Sequence, residues 1–268
     1  MPELPEVETI ARSLRPELTG RIIVSAQVLW LRTLDGISAD QFNQRIAGQK
    51  ILATGRRAKY LDIQLTDFHL FIHLRMSGDL TIKNPAYQPE KHDRLIWRLS
   101  DDRQLVFNDT RKFGRVWLTA HPDDVIGNLG PEPFDPEFTP QTLHSRLIER
   151  HRQIKPLLLD QSFLAGLGNI YTDEALHLAG VHPLRISDTI SINEAVKLYE
   201  AIVTVLLAGI EHNGASIDWV YRGGNFQNFF RVYNREGQPC SVCGALIQKI
   251  IVGQRGTHFC PICQEKII

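Results

Sequence analysis

Four cysteines, all within the last 29 residues, constrain what this 268-residue chain can fold into more than any other feature. Cys240 and Cys243 are separated by two residues, as are Cys260 and Cys263, and sixteen residues lie between the two pairs. This spacing predicts two knuckles that close one tetrahedral zinc site. Four thiolates leave no open coordination position, so the predicted zinc ion is structural. Two disulfides are the alternative, which a reducing intracellular environment would disfavour.

The segment between the two cysteine pairs predicts a β-hairpin with a tight tip at residues 253–256, where two glycines flank Gln254 and Arg255. Such a tip lets the backbone and one guanidinium approach a phosphate closely. From Arg222 onward six Lys and Arg residues face two acidic residues, although the whole chain is balanced at 30 basic and 30 acidic residues. The local surplus favours a nucleic-acid partner, and a protein-binding zinc ribbon is the alternative.

The remaining composition excludes several classes of protein. A hydrophobic fraction of 43% and a charged fraction of 22% are typical of a folded globular chain and exclude a disordered or collagen-like one. The longest apolar stretches, such as residues 201–210, are shorter than the roughly 20 residues of a membrane span. The acidic start Met1-Pro2-Glu3 is the opposite of a cationic secretory signal, so we expect an intracellular protein.

The length favours two domains, and an acidic, proline-rich stretch at residues 121–140 predicts the boundary between them. Before the boundary, a short amphipathic helix precedes strand-like runs without helical crossovers, which predict an antiparallel β-sandwich flanked by helices. These runs are 22–31, 60–65, 68–74, 95–99, 104–107 and 115–118. After the boundary, apolar residues recur at helical spacing at 143–147, 170–178 and 196–210, and Ser191 with Glu194 forms a capping box before the last run. We therefore expect an α+β chain with segments 1–132, 133–222 and 223–268.

The N-terminal residues have the composition of a nucleophilic centre. Removal of Met1 would leave Pro2 as a free secondary amine, and an α-amine titrates near pH ~8, so a useful fraction is unprotonated at neutral pH. A secondary amine that condenses with a sugar C1′ gives an iminium cation, which acts as an electron sink. Glu3 and Glu6 supply carboxylates suited to proton transfer beside it. The alternative is that Pro2 and Glu3 merely begin a helix.

The opening string Pro2-Glu3-Leu4-Pro5-Glu6-Val7-Glu8-Thr9, together with the terminal four-cysteine motif, resembles the bacterial formamidopyrimidine-DNA glycosylases, the family that includes the endonuclease VIII enzymes. The resemblance continues in order along the chain. It runs through His73-Leu74-Arg75-Met76-Ser77-Gly78, Asp109-Thr110-Arg111-Lys112-Phe113-Gly114, residues 160–166, Gly168-Asn169-Ile170-Tyr171, Asp173-Glu174-Ala175 and Arg255-Gly256-Thr257. Six ordered motifs exclude a chance match.

The resemblance implies a base-excision repair enzyme with two activities, a DNA glycosylase that removes 8-oxoguanine and formamidopyrimidines and a lyase at abasic sites. In this family the N-terminal proline attacks C1′ and the Schiff base drives β- and δ-elimination, so Pro2 and Glu3 are the expected catalytic residues. The resemblance also implies a helix-two-turns-helix element in the C-terminal domain and one structural Zn²⁺. The expected partner is duplex DNA with a damaged base, bound by a monomer in the bacterial cytoplasm and nucleoid.

Further site residues follow from the resemblance. Lys59, in Gly55-Arg56-Arg57-Ala58-Lys59-Tyr60, matches a hairpin lysine that contacts the phosphate beside the lesion and assists catalysis. Phosphate contacts are also implied for His73 and His92, for Asn169 and Arg255 as a pair that clamps the flanking phosphates, and for Lys155. Met76, Arg111 and Phe113 match residues inserted into the duplex where the nucleotide leaves the stack. Supporting roles are implied for Glu6, Glu174 and Tyr221, the last in a loop over the extruded base.

Three alternatives remain at this level. An oxidised-pyrimidine glycosylase of the same superfamily is disfavoured by Leu4 and by the full set of three insertion residues. A DNA binder without catalysis would not need Pro2, Glu3 and Lys59 together. A zinc-ribbon protein that binds no DNA is the third. The segment 216–233, which the resemblance identifies as the loop over the extruded base, departs most from the family pattern.

Overall fold

The computed structural model describes residues 1–216 and 223–265, which pack into two compact units. The first contains Met1–Asn128 and the described part of Ala215–Gly224. The second contains Leu129–Gly214 and the described part of Asn225–Ile268. The expected segment boundaries at residues 132 and 222 stay a prediction, and Tyr221 lies outside the described residues.

The first unit is an antiparallel β-sandwich flanked by helices, as the strand-like runs predicted. One sheet has the order β1-β6-β7-β5 and the other β2-β3-β4-β8. Their bounds are β1 Ile23–Val28, β2 Ile51–Arg57, β3 Tyr60–Leu65, β4 His69–His73, β5 Gly78–Lys83, β6 Asp93–Leu99, β7 Gln104–Asp109 and β8 Arg115–Thr119. The helices are α1 Leu4–Leu18, α2 Ala39–Ile46 and the short α3 Asp123–Ile126.

One hydrophobic core joins the two sheets and helix α1 in this unit. Side chains from α1, such as Val7 and Leu14, are buried with Ile63 of β3 and Trp97 of β6. The apolar face of α1 therefore packs against the sandwich, as the amphipathic pattern indicated. Helix α2 and strands β2 and β5 were not predicted. Each is short, and β2 and β5 contain glycine and charged residues that obscure the alternation expected of a strand.

The second unit consists of helices and a small hairpin. Its helices are α4 Pro140–Ile148, α5 Ile154–Leu159, α6 Asn169–Ala179 and α7 Ile192–Glu211. The predicted capping box at the start of α7 is present, because the Ser191 N–H donates to Glu194 Oε2 at 2.8 Å and the Glu194 N–H donates to Ser191 Oγ at 3.3 Å. Helices α5 and α6, joined by turns at residues 160–168, correspond to the expected helix-two-turns-helix element.

The hairpin of the second unit is formed by β9 Gln248–Val252 and β10 Arg255–Phe259. Its tip is shorter than the four residues predicted, since only Gly253 and Gln254 lie between the strands and Arg255 pairs with Val252. Both tip residues have positive φ, 53° and 63°, the backbone form that suits the twist of a two-residue hairpin turn. Arg255 is thus held at the first position of a strand.

Across the described part of the chain, none of the helices combines the length and the apolar character that crossing a membrane requires.

Candidate functional site

The predicted nucleophile and its neighbouring acid lie at the start of α1. Pro2 and Glu3 are both buried, whereas Met1 is 45% exposed. Glu3 is the residue that caps the helix, and its N–H donates to Glu6 Oε2 at 2.7 Å in a capping box. This reciprocal arrangement positions the backbone at residues 2 and 3 and keeps two carboxylates beside the amine that Met1 removal would expose.

Glu6 connects the start of α1 to a distant segment of the same unit. While Oε2 binds Glu3, Oε1 accepts the N–H of Ala215 at 2.7 Å, and the side chain is only 2% exposed. Ala215 begins the segment 215–224, in which Ser216 Oγ accepts the N–H groups of Gly223 and Gly224 at 3.2 and 2.9 Å. Glu6 therefore holds together the helix start and the first residue of this segment.

Lys59 occupies the two-residue turn between β2 and β3, where Arg57 pairs with Tyr60. Ala58, the first turn residue, has a left-handed φ of 51°, and the Lys59 side chain is only 5% exposed. The hairpin is tied to α1 by Arg56, whose Nε lies 2.9 Å from Glu8 Oε2. The turn that carries Lys59 is therefore fixed relative to helix α1, which Pro2 and Glu3 directly precede.

His73 lies on β4 directly opposite Tyr60, and the two ring centroids are 4.7 Å apart. The side chain is 6% exposed, and Nδ1 accepts the N–H of Arg75 at 3.0 Å, which leaves the ring proton on Nε2. Burial, reinforced by the positive charges of Arg75 and Lys59, lowers the pKa of His73 to about 3. At neutral pH this imidazole is an uncharged hydrogen-bond donor.

The buried, neutral state of His73 predicts a specific loss of stability in acid. The unfolded chain binds a proton near pH ~6.5, but the native ring does not until about pH 3, so the pKa difference destabilises the fold as pH falls. Between pH 7 and pH 5 the wild type is expected to lose about 2 kcal/mol more unfolding free energy than His73→Asn, which keeps an acceptor for Arg75. Denaturant unfolding at both pH values measures this difference, and equal losses would contradict the assigned state.

Two turns of the first unit present the residues predicted to enter the duplex. Met76 lies between β4 and β5 and is 39% exposed, and Phe113 lies between β7 and β8 and is 48% exposed. Arg111 is also exposed, with its guanidinium carbon 5.3 Å from the Phe113 ring centroid. The structure therefore places all three side chains at the surface on neighbouring turns, and their entry into a duplex stays a prediction.

His92, the other histidine predicted to contact phosphate, is half-buried beside a cationic side chain. Its Nδ1 accepts from Nη2 of Arg94 at 3.3 Å, and Nε of Arg94 donates to the Asp109 carbonyl oxygen at 2.7 Å. Arg94 is itself 5% exposed. The structure thus places His92 on a braced turn just before β6, and its phosphate contact stays a prediction.

In the second unit the N-terminus of α6 is joined to the zinc hairpin. Asn169, the first residue of α6, donates from Nδ2 to the carbonyl oxygen of Gly256 at 3.0 Å. Gly256 follows Arg255, whose side chain is exposed. The two residues predicted to form a phosphate clamp are therefore connected through one backbone carbonyl.

Lys155 is placed differently from the prediction of a DNA contact. It is fully buried, and its Nζ lies 2.6 Å from Asp173 Oδ1 while donating to the Gly256 carbonyl oxygen at 3.1 Å and to Thr257 Oγ1 at 2.8 Å. A side chain with no exposed surface and three internal partners does not fit direct contact with a phosphate. Asp173, to which the sequence analysis assigned no role, also accepts the His258 N–H at 2.9 Å.

Glu174 is a buried anchor for the chain that follows the segment 215–224. Its carboxylate, 1% exposed, accepts the backbone N–H groups of Arg231, Val232 and Tyr233 at 2.8, 3.0 and 2.8 Å. Burial raises the pKa of Glu174, and the three N–H donors act in the opposite direction. The expected role of Glu174 as a helper near the catalytic pocket stays a prediction.

The four cysteines form the one cluster of metal-ligating side chains found in residues 1–216 and 223–265. All four Sγ atoms lie within 4.8 Å of one another, with 3.8 Å between Cys240 and Cys263 and 3.4 Å between Cys243 and Cys260. A tetrahedral zinc with Zn–S bonds of ~2.3 Å requires edges of about 3.8 Å. The cluster therefore fits a single structural Zn²⁺, and the four thiols are not paired as disulfides.

Three family models match successive parts of the chain. Residues 1–116 match the formamidopyrimidine-DNA glycosylase N-terminal domain, residues 129–220 match the H2TH domain of the same enzyme, and residues 237–266 match a zinc finger found in FPG and IleRS. Among similar proteins, the formamidopyrimidine-DNA glycosylase of Pelotomaculum thermopropionicum is 45% identical over 276 residues, covering 99% of both chains. That of Chloroflexus aggregans is 46% identical, covering 98% of both.

Solved structures agree with the sequence matches. A Lactococcus lactis Fpg (MutM) in complex with FAPY-dG-containing DNA is 38% identical, with a TM-score of 0.91, and the alignment covers 98% of this chain and 100% of that one. A MutM in complex with DNA containing carbocyclic 8-oxo-G is 39% identical, with a TM-score of 0.92, and the alignment covers 99% of this chain and 100% of that one.

Proposed function

The chain belongs to the formamidopyrimidine-DNA glycosylase family, and from this membership and the geometry of its N-terminus we propose that it removes oxidised purines from DNA by base excision. Its substrates are 8-oxoguanine and formamidopyrimidine lesions in duplex DNA. It acts both as a glycosylase and as a lyase at the abasic site, and it carries one structural Zn²⁺. The observation that carries the proposal is the placement of Pro2 and Glu3 at the buried, capped start of α1.

The chemistry begins with the secondary amine of Pro2, freed by removal of Met1. Its nitrogen lone pair forms a bond to C1′ as the glycosidic bond to the damaged base breaks, and the base leaves with the electrons of the broken bond. The proline nitrogen then gives up its own proton, and the departing base takes up one. Glu3 is suited to protonate the sugar ring oxygen, which opens the ring to an iminium ion. Loss of a proton from C2′ then expels the 3′ phosphate, and loss of a proton from C4′ expels the 5′ phosphate.

Lys59 and His73 support this reaction at the phosphate beside the lesion. Their proximity is reflected in the contribution of the Lys59 charge to the lowered pKa of His73. Lys59 supplies positive charge from a turn that α1 braces through Arg56 and Glu8, and His73 supplies a neutral N–H. One charged and one uncharged donor can hold a phosphate oxygen without placing two cations in contact.

Extrusion of the damaged nucleotide leaves a gap that Met76, Arg111 and Phe113 fill. Unstacking a nucleotide costs a few kcal/mol, which inserted side chains offset by stacking on the neighbouring bases. The Arg111 guanidinium is able to pair with the orphaned cytosine. This set of three favours a purine lesion opposite cytosine over an oxidised pyrimidine.

In the second unit, Asn169 and Arg255 bind the phosphates that flank the lesion. Lys155 acts indirectly, by positioning these two residues. Because Lys155 and Asn169 both donate to the Gly256 carbonyl oxygen, the buried Lys155–Asp173 pair holds the hairpin in register with the start of α6. Lys155 thus positions the clamp and makes no DNA contact of its own. His92 adds a phosphate contact from the first unit.

The remaining expectations complete the proposal. The enzyme acts as a monomer in the bacterial cytoplasm, associated with the nucleoid through DNA binding. Its N-terminal catalytic segment spans residues 1–132, its helical DNA-binding segment 133–222 and its zinc-finger segment 223–268. Glu6, Glu174 and Tyr221 assist the catalytic pocket and the loop over the extruded base, and Glu6 and Glu174 do so through the backbone N–H groups that they accept.

Excision from defined duplexes tests the proposed substrate class. At equal enzyme concentrations the protein is expected to release 8-oxoguanine opposite cytosine at least about tenfold faster than dihydrothymine, because the insertion residues match a purine opposite cytosine. Product strands resolved on a denaturing gel measure both rates. A preference for dihydrothymine would overturn the purine assignment in favour of an oxidised-pyrimidine glycosylase.

A further inference from the structure

A buried carboxylate at the end of β7 has no part in the reaction described above. Asp109 is 1% exposed, and both of its oxygens are engaged. Oδ1 accepts from the Ser77 hydroxyl and from the Arg111 N–H, the latter at 3.1 Å, and Oδ2 accepts the Gly114 N–H at 2.7 Å. Asp109 thus binds backbone on both sides of the turn that carries Arg111 and Phe113.

Ser77 extends this network to the turn that carries Met76; we call this turn and the Arg111–Phe113 turn the two insertion turns. It directly follows Met76, is 2% exposed, and its hydroxyl both donates to Asp109 and accepts the Arg111 N–H at 3.0 Å. Strands β5 and β7 pair at Gly78 and Asp109, so the two turns leave the same sheet side by side. Ser77, Asp109 and the Arg111 N–H form a closed triangle between the Met76 turn and the Arg111–Phe113 turn.

The backbone at both turns is held in a conformation that needs such support. Arg75 and Lys112 have left-handed φ values of 55° and 61°, and each directly precedes an inserted apolar residue, Met76 or Phe113. Left-handed geometry is unfavourable for a residue with a side chain, so it persists where surrounding contacts fix it. Lys112 has a further contact, with Nζ 4.0 Å from the Trp30 ring centroid.

The close packing around the triangle excludes easy rearrangement. A Cβ at Gly114 would lie 2.4 Å from Phe107 Cζ, and one at Gly78 would lie 2.5 Å from the Leu74 carbonyl oxygen. Neither contact is with the end of a flexible chain, so both glycines are required where the turns meet the sheet. The turns are therefore seated on rigid strands, and the triangle is the polar connection between them.

We propose that Ser77 and Asp109 are positioning residues that couple the two insertion turns, so that Met76, Arg111 and Phe113 enter the duplex together. The inference rests on the proposed function, because it assigns a purpose to insertion residues of that same site. If the two turns enter together, their side chains fill the gap on both strands in one step. If one turn entered alone, the bases would unstack before the side chains of the other turn could stabilise them. Neither Ser77 nor Asp109 touches the substrate in this proposal.

The variants Ser77→Ala and Asp109→Asn test the coupling. In Asp109→Asn, an amide NH2 group replaces a carboxylate oxygen and faces N–H or O–H groups that also donate. Ser77→Ala removes the bridging hydroxyl without a change in charge. Each is expected to slow single-turnover excision of 8-oxoguanine on the order of tenfold or more, yet to change cleavage of a preformed abasic site by less than about threefold, because an abasic nucleotide is unstacked at little cost. The double variant is expected to be no slower than Asp109→Asn alone.

Two further measurements separate coupling from a loss of folding. Thermal unfolding identifies variants that are simply unstable, and if Asp109→Asn does not fold, Ser77→Ala carries the test. A 2-aminopurine base next to the lesion is expected to show a slower insertion phase in the folded variants. Ser13→Ala, which removes the hydroxyl that an exposed serine donates to the Ile10 carbonyl oxygen, is the matched control and should behave as wild type.

The outcomes distinguish the inference from the function on which it rests. If the wild type excises no 8-oxoguanine, the proposed function fails. If the wild type is active and the folded Ser77→Ala variant keeps its excision rate and insertion phase, the coupling is wrong. An equal loss on lesion and abasic DNA would also overturn it, since that result indicates a general distortion of the site.

Discussion

Replacement of Pro2 by glycine is expected to reduce the borohydride-trapped complex with an 8-oxoguanine:cytosine duplex on the order of a hundredfold. Glycine leaves a primary amine on a flexible residue, whereas proline presents a ring-constrained secondary amine at the buried start of α1. The iminium ion formed by a primary amine can lose its N–H proton and become a neutral imine, which is a weaker electron sink. Trapped complex, resolved from free DNA on a denaturing gel, measures the difference.

The comparison needs a processed N-terminus and a matched proline variant. Proline and glycine at position 2 both permit removal of Met1, and intact-mass measurement verifies it. Pro16→Ala changes an exposed proline within the same helix and should trap as the wild type does. Wild-type trapping by Pro2→Gly would contradict the role of the secondary amine.

Removal of the zinc ion is expected to weaken binding to lesion-containing duplex by about a hundredfold or more. Within the described residues, the small hydrophobic core around the cluster consists of four buried residues, namely Val232, Cys240, Ile247 and Cys260, so the hairpin depends on the metal for its shape. Loss of that shape displaces Arg255 and the Gly256 carbonyl oxygen to which Asn169 is bound. Fluorescence anisotropy with labelled duplex, alongside metal analysis, measures the effect.

Cys243→Ser provides the same test without a chelator, and Val242→Ser is its control. Val242 lies in the same knuckle, is 69% exposed and supplies no thiolate. Val242→Ser should therefore retain zinc and bind DNA normally. Unchanged affinity in zinc-free protein would show that the hairpin holds the phosphate clamp without its metal.

Local sequence patterns were enough to predict most of the fold and part of the candidate site. Helix α1, the capping box at Ser191 and the zinc hairpin depend on residues within a few positions of one another, so their spacing predicts them. The two sheets followed from alternation within each strand, but β2 and β5 did not, because glycine and charged residues interrupt that alternation.

Contacts between residues far apart in the chain could not be predicted in this way. Lys155 looked like a surface cation, but its partners are Asp173, on the next helix, and Gly256 and Thr257, about a hundred residues away. The spacing of residues along the chain does not predict such a buried ion pair, because tertiary packing decides which charged side chains are buried. The Ser77–Asp109 connection spans 32 residues and was missed for the same reason.

Backbone conformation at the functional turns was equally hidden. Ala58, Arg75, Lys112 and Gln254 have left-handed φ values, and each directly precedes a residue proposed to contact DNA. None of the four is glycine, so residue type alone did not indicate the conformation. Ala58 and Gln254 lie in tight turns between paired strands, whereas Arg75 and Lys112 lie in turns that connect one sheet to the other. The conformation is imposed by position in these turns, which depends on how the strands are arranged.

Mapping of the covalent bond to residue 2 tests the proposed role of Pro2 most directly. Purified protein lacking Met1 is incubated with an 8-oxoguanine:cytosine duplex and borohydride, and the trapped complex is digested and sequenced by mass spectrometry. We expect one reduced adduct, on the nitrogen of Pro2. An adduct on a lysine such as Lys59, or no adduct from active, processed protein, would contradict that role.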